Sequence, residues 1–246
     1  MKRGIVLAVA AMMVGAGAAG AQEETTNIGD WLSGNVAVTS DYAFRGISQT
    51  LEEPAIQGGM DLEHPIGLYL GFWGSSVNFG EDLSGGPRAQ AEMDVYGGFG
   101  FSAANILDVD LGAIYYAYPG SDGRGYDFIE FGLGASRGFS MFDTGVTVSY
   151  SPDYFAETGE AWYYALDVGV PVSILTLSGS IGHQTIENNE LFGTPDYTNY
   201  SVGVGVGVAG FDLTGQWVDT DIEEEECIGG TDLCSSRFIL SVGRAL

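Results

Sequence analysis

Acidic side chains recur in this chain at every second position of otherwise apolar stretches. Gln57, Asp61 and Glu63 share one parity in their stretch, and Glu92, Asp94 and Tyr96 share one in theirs. Asp110, Glu130 and Asp167 take the same place in theirs, with Asp41 and Arg45 near the start and Arg237 near the end. In extended chain, residues of one parity lie on one face. A ring of carboxylates around a water-filled bore favours cations. The same groups paired with one another would fill a narrow bore instead. Arg45, set among several acids, reads as a structural brace more than as a selectivity element.

Other chemistries find less support. Asp219, Asp221 and Glu223 belong to an acidic run, 219–226, that could offer oxygens to a divalent cation. The run lacks the spacing of a calcium loop, and acidic runs are usually solvated, so these three are weak metal candidates. Cys227 and Cys234 are the two cysteines. They are too few for a zinc site and are expected to pair as a disulfide in an oxidising compartment. The two histidines, His64 and His183, fall in different segments and cannot serve one catalytic site. No nucleophile motif accompanies them. Gly203, Gly205 and Gly207 alternate at strand period with no helix following, so they mark close backbone packing, not a phosphate loop. Neither an enzyme nor a cofactor is expected.

The elements that must position the acids are strands. Alternation predicts twelve, at 33–45, 54–64, 67–78, 89–101, 106–118, 126–138, 141–152, 161–170, 174–185, 197–209, 211–220 and 236–246. In the third, Leu68, Leu70 and Phe72 compete with Tyr69, Trp73 and Val77 for the outer face. Connections after odd strands are long and polar, among them 47–53, whereas those after even strands are short. That asymmetry matches the external loops and periplasmic turns of an outer-membrane barrel. Tyr42, Phe44, Tyr115, Trp162, Tyr164, Tyr200 and Phe238 are expected near the outer rim of the lipid face, where aromatic rings favour the interface. Arg137 and Arg244 share the lipid-face parity but sit at strand ends, where an arginine costs about 0–1 kcal/mol. A soluble sandwich or lipocalin-like barrel would alternate too, with its apolar face turned inward.

The fold class expected is therefore all-β: a transmembrane antiparallel barrel of about twelve strands behind a cleaved signal peptide. Lys2 and Arg3, an apolar stretch and Ala19-Gly20-Ala21 mark residues 1–21 as the leader. Residues 22–246 form the barrel. Past the leader, six arginines face 33 acids, a balance that repels nucleic acid. With 45% of residues hydrophobic and 12% aromatic, the chain has ample apolar surface, so its charge does not signal disorder. Partners expected are outer-membrane lipid and lipopolysaccharide, with small solutes or cations in the bore. The sequence leaves oligomerisation open.

Residues 40–50, Ser-Asp-Tyr-Ala-Phe-Arg-Gly-Ile-Ser-Gln-Thr, are distinctive. So are 54–59, Pro-Ala-Ile-Gln-Gly-Gly, and 67–75, Gly-Leu-Tyr-Leu-Gly-Phe-Trp-Gly-Ser. Together they resemble the TorF porin family, also called Gcw_chp. The resemblance implies a bacterial outer-membrane barrel and supplies no catalytic or binding residues. The leading expectation is a porin-like channel for passive diffusion of small solutes with a preference for cations. The alternative is a closed barrel acting through its acidic external loops in adhesion or partner binding.

Overall fold

Period-two alternation with apolar residues on one parity leaves each strand a face that must leave water. The computed structural model describes residues 31–80, 88–104, 106–121 and 123–246. The expected leader, 1–21, lies outside them. The strands are β1 (Leu32–Thr39), β2 (Ala43–Phe44), β3 (Ile47–Ser48), β4 (Ala55–Glu63), β5 (Leu68–Ser76), β6 (Ala91–Ala103) and β7 (Leu107–Ala117). There follow β8 (Phe128–Gly138), β9 (Asp143–Ser151), β10 (Ala161–Val172), β11 (Leu175–Ile186), β12 (Tyr197–Val208), β13 (Phe211–Thr220) and β14 (Arg237–Ala245). All but β2 and β3 form one closed antiparallel barrel of twelve strands. Each pairs with its neighbours along the chain, and β1 closes the ring on β14 with Val36 opposite Arg244. Closure removes every sheet edge, which hydrocarbon demands because it cannot hydrogen-bond a free backbone group.

The apolar parity faces outward. Val38, Ile56, Leu70, Val95, Leu166 and Val202 are all exposed, Val202 at 61%. A continuous apolar belt of this kind would drive a soluble protein to aggregate; around a closed barrel it is the lipid-contacting band. The soluble alternatives, which hide that face, are thereby excluded, and the protein is an outer-membrane barrel. In β5, Leu68, Leu70 and Phe72 are exposed, whereas Tyr69 and Trp73, with Val77 just past the strand, are buried inside. Tyr115, Trp162, Tyr164, Tyr200 and Phe238 are exposed as expected. Arg137 and Arg244 lie at strand ends, each over a phenylalanine ring, Phe139 and Phe211.

The first strand departs from its expected range. β1 ends at Thr39, not at 45; the end of the expected strand (43–45) and the start of the expected external loop (47–48) fold inward together as the β2–β3 hairpin. Arg45 (φ 49°) and Gly46 (φ 87°) occupy its two-residue turn. Positive φ at both central residues is the type I′ geometry that matches strand twist. Tyr42 and Phe44, expected at the lipid rim, are consequently inside, Tyr42 buried and Phe44 packed against the internal aromatic core. The alternation continues across the break because the hairpin is itself extended.

The glycine ladder also differs in part. A Cβ on Gly203 would meet Ser178 Oγ at 2.7 Å, but on Gly205 and Gly207 it would make only ordinary contact. Those two glycines face the lumen and leave it room.

Candidate functional site

The hairpin stands in the outer half of the lumen and meets the wall on several sides. The Ser48 N–H donates to Leu233 O at 2.9 Å, and the Asn78 N–H donates to Gln49 O at 2.8 Å. The Asp41 carboxylate accepts from Ser48 Oγ (2.6 Å) and Thr50 Oγ1 (2.7 Å), which holds the two arms of the hairpin together. Arg237 of β14 reaches Asp41 at 3.4 Å and Glu52 at 3.3 Å. The Tyr42 hydroxyl donates to Glu92 Oε1 at 2.8 Å. At the tip, a Cβ on Gly46 would meet Thr220 Cγ2 at 2.6 Å and Asn199 Cβ at 3.1 Å. Only glycine therefore lets the turn approach β12 and β13 this closely.

Arg45 crosses to the opposite wall. Its two terminal nitrogens donate to the two oxygens of Glu130 on β8, at 2.8 and 2.7 Å, and one of them also donates to Gln184 Oε1 on β11 at 2.6 Å. The guanidinium lies 4.0 Å from the Tyr163 ring centroid and 4.8 Å from that of Phe44. A bidentate, ring-stacked arrangement of this kind fits the planar fork of arginine and no other side chain. Burial works against the Arg45 charge, but Glu130 and the Tyr154 and Tyr116 hydroxyls beside it outweigh that and hold its pKa above the ordinary arginine value. Burial also pushes the Tyr154 hydroxyl up, opposed by Arg45.

Packing around the hairpin closes the outer lumen. Thr39, Ala55, Asp94, Tyr116, Gln184 and Tyr197, from six different strands, are each under 5% exposed. Each of the other six barrel strands likewise contributes a buried inward residue. A continuous water column would leave some of these wetted. Two clusters fill the space: one built on Tyr42, Trp73, Tyr116, Phe128 and Tyr154, the other on Ile47, Tyr197, Ile222 and the Cys227–Cys234 disulfide.

The candidate lumen residues named from the sequence divide between the two halves. Glu92, Asp94, Glu130 and Arg237 lie on the wall of the packed outer half, and Asp41 and Arg45 on the hairpin within it. Asp94 is fully buried with no hydrogen-bond partner on either carboxylate oxygen. Gln57 donates to Ser75 Oγ at 3.3 Å near the outer end of β4. Asp61, Tyr96, Asp110 and Asp167 line the periplasmic half, and Glu63 stands exposed at its mouth. There, tyrosines lie flat over glycines. Tyr96 covers Gly71 and donates to Asp61; Tyr69 covers Gly98 and Gly112 and donates to Asp110 at 2.9 Å. Each glycine–tyrosine pair brings a ring close against the wall. Thr176 and Ser178 of the same half are exposed on the inward parity.

Asp219 and Asp221 do not converge on a metal. Asp219 Oδ1 accepts from the Thr220 N–H at 3.0 Å, and Asp221 Oδ1 from the Thr198 N–H at 2.6 Å. Glu223 is exposed. Among the described residues, no group of three or more His, Cys, Asp or Glu could hold a metal ion. His64 and His183 lie at opposite ends of the barrel. Sequence reasoning missed Gln184, Tyr163 and Tyr154 as partners of Arg45. Inward parity marks Gln184 and Tyr163, but nothing local marks which inward residue meets the hairpin.

The family profile described as a bacterial protein of unknown function, Gcw_chp, matches residues 23–246, and the chain belongs to that family. Curated protein sequences gave no match. Among solved structures, the chain is similar to the KdgM porin, with a TM-score of 0.58 at 5% identity over 86% of this chain and 98% of that one. A structure of KdgM porin in complex with disordered oligogalacturonate gives a TM-score of 0.55 at 4% identity, over 87% and 97%. The NanC porin gives 0.54 at 9% identity, over 87% and 98%. At such identities the likeness is one of fold.

Proposed function

We propose that the barrel is a porin-like channel for small solutes whose outer mouth is held shut by the β2–β3 hairpin. The observation that carries the reading is the division of the lumen. Its closing element is a connection that contributes nothing to the wall ladder, so it can move without breaking the barrel, while the inward face of the periplasmic half carries Gly, Ser, Thr and Asp with Tyr69 and Tyr96 lying against its wall. The porin character implied by the TorF resemblance is part of this proposal, and the fold shared with KdgM and NanC supports it. Cation preference is a further part. Among the described residues, no arginine lies on the inward face of the periplasmic half, whose charged groups include Asp61, Glu63 and Asp167. Such a lumen attracts cations. The acidic outer connections would meet lipopolysaccharide through bridging divalent ions. No catalytic step is part of the proposal.

A second reading, a permanently closed barrel acting through its outer surface, is favoured by how thoroughly the outer half is packed. Conductance in a planar bilayer under a potassium chloride gradient separates the two. Wild type is expected to be mostly silent, and a variant with residues 43–48 replaced by a short Gly-Ser turn to show discrete cation-selective steps. A variant that is correctly folded, by its heat-dependent gel mobility, and still silent would refute the channel.

A further inference from the structure

Arg45 occupies a recess that the wall builds without it. Gln184 is fully buried, and its amide nitrogen donates to Trp162 O and Thr185 O, both at 3.2 Å, which fixes Oε1 toward the guanidinium. Glu130 is held by the Tyr116 hydroxyl at 3.2 Å. Tyr163 is fixed by its hydroxyl, which donates to Asn199 at 3.1 Å. These groups come from β8, β10 and β11 and carry their own orienting contacts. Their guest arrives from 85 and 139 residues away on a two-residue turn. The surroundings also hold more carboxyl groups than one arginine pairs. Asp94, cross-strand neighbour of Tyr116, is fully buried with both oxygens unpartnered. A buried carboxyl group without a partner in such a place marks a site short of a polar ligand.

We propose that the recess formed by Glu130, Gln184, Tyr163 and Tyr154 is a binding site for a guanidinium-bearing solute, and that Arg45 is its built-in occupant. A solute guanidinium entering from outside competes with Arg45 for the same two-pronged carboxylate and the same ring face. When it wins, the hairpin tip loses its anchor on the far wall. This names a substrate class for the channel and, in its gating step, rests on the channel reading. The solute competes against a tethered group whose effective concentration is in the millimolar range or above. Its apparent affinity for wild type is therefore weakened by the docked fraction of the hairpin. A primary ammonium of equal charge lacks the fork and fits the site poorly.

The test uses the full-length refolded protein in lipid with ethylguanidinium as probe and ethylammonium as control. Arg45→Ala is expected to bind ethylguanidinium saturably by calorimetry, at least tenfold more tightly than ethylammonium, and Arg45→Ala with Glu130→Gln to lose that preference. In the Ile47→Cys background with Arg45 intact, ethylguanidinium is expected to raise the rate of thiol labelling at position 47 several-fold, with ethylammonium inert. Absence of saturable binding to a folded Arg45→Ala barrel would overturn the proposal. So would binding to that barrel with no change in labelling when Arg45 is present, because the recess would then be only a brace. Binding and labelling as expected in a barrel that never conducts would leave the site standing and remove the channel.

Discussion

Gly46→Ala is the sharpest probe of the docked hairpin, because two separable costs meet at that residue. The first is conformational. At φ 87° a side chain is held in the left-handed region, at about 1–2 kcal/mol. The second is steric. The new methyl group would lie 2.6 Å from Thr220 Cγ2 and 3.2 Å from Asp219 O. Neither is the free end of a long side chain, so the turn must withdraw; overpacking of this kind costs about 1–3 kcal/mol. Together they amount to about 2–5 kcal/mol against docking, a shift of roughly 30-fold or more in the docked ratio. Gly210→Ala is the control. Gly210 has φ 81° in a periplasmic two-residue turn, and an added Cβ there meets nothing within 4 Å. It carries the conformational cost alone, at the far end of the barrel. The assay is thiol labelling of Ile47→Cys, a position 2% exposed in the docked state, with single-channel recording alongside. Labelling and open probability are expected to rise together in Gly46→Ala and to stay at wild-type levels in Gly210→Ala. Equal labelling in both variants would refute the docked geometry.

The register on the lipid face predicts that Val204→Arg costs about 2–4 kcal/mol near the bilayer midplane, read as a lower unfolding midpoint in urea; unchanged stability would reverse the facing of β12. Gly71→Ala should drive the Tyr96 ring off the wall and break its bond to Asp61, losing about 1.5–3 kcal/mol for a hydrogen bond to a charged group. Adding Tyr96→Ala should make the glycine substitution nearly neutral; a full cost in both backgrounds would show that the ring is not the neighbour. Replacing Cys227 and Cys234 by serine opens a short loop worth about 2–3 kcal/mol, and part of that should appear as faster labelling at position 47, because Ile47 packs in the same cluster as the disulfide. Burial raises the Tyr42 and Tyr118 hydroxyls above their ordinary value of 10.0. Unfolded tyrosines ionise first as pH rises, so this contribution is full below about pH 10 and is lost above it. Heat resistance is expected to stay flat to that point and then fall, less steeply in Tyr118→Phe; a flat profile to about pH 12 would remove the buried hydroxyls from the outer core.

Most of the barrel could be read from local pattern. β13 begins and ends where alternation put it, and the parity of Val36, Leu111 and Val204 identified the lipid face. The sequence also brought Cys227 and Cys234 together, through their compartment and their number. The acids share the inward parity of their strands, yet their partition was not legible. Asp61 and Asp110 are capped by tyrosines lying over glycines, while Asp94 is sealed beneath the hairpin. That difference depends on which strand stands two places away in the closed ring, and no window of sequence contains it.

The placement of residues 40–50 belongs to the tertiary structure alone. Their alternation is as regular as that of any wall strand, and Arg45-Gly46 permits a type I′ turn without saying on which side of the wall the hairpin will lie. The geometry of the turn follows locally from the φ that Gly46 tolerates. The inward direction is set by Glu130 and Gln184, 85 and 139 residues downstream, whose buried oxygens need a planar cation once the barrel closes. A charge buried away from water is tolerated only beside its partner, and the pairing exists only after twelve strands have brought both ends of it into one lumen.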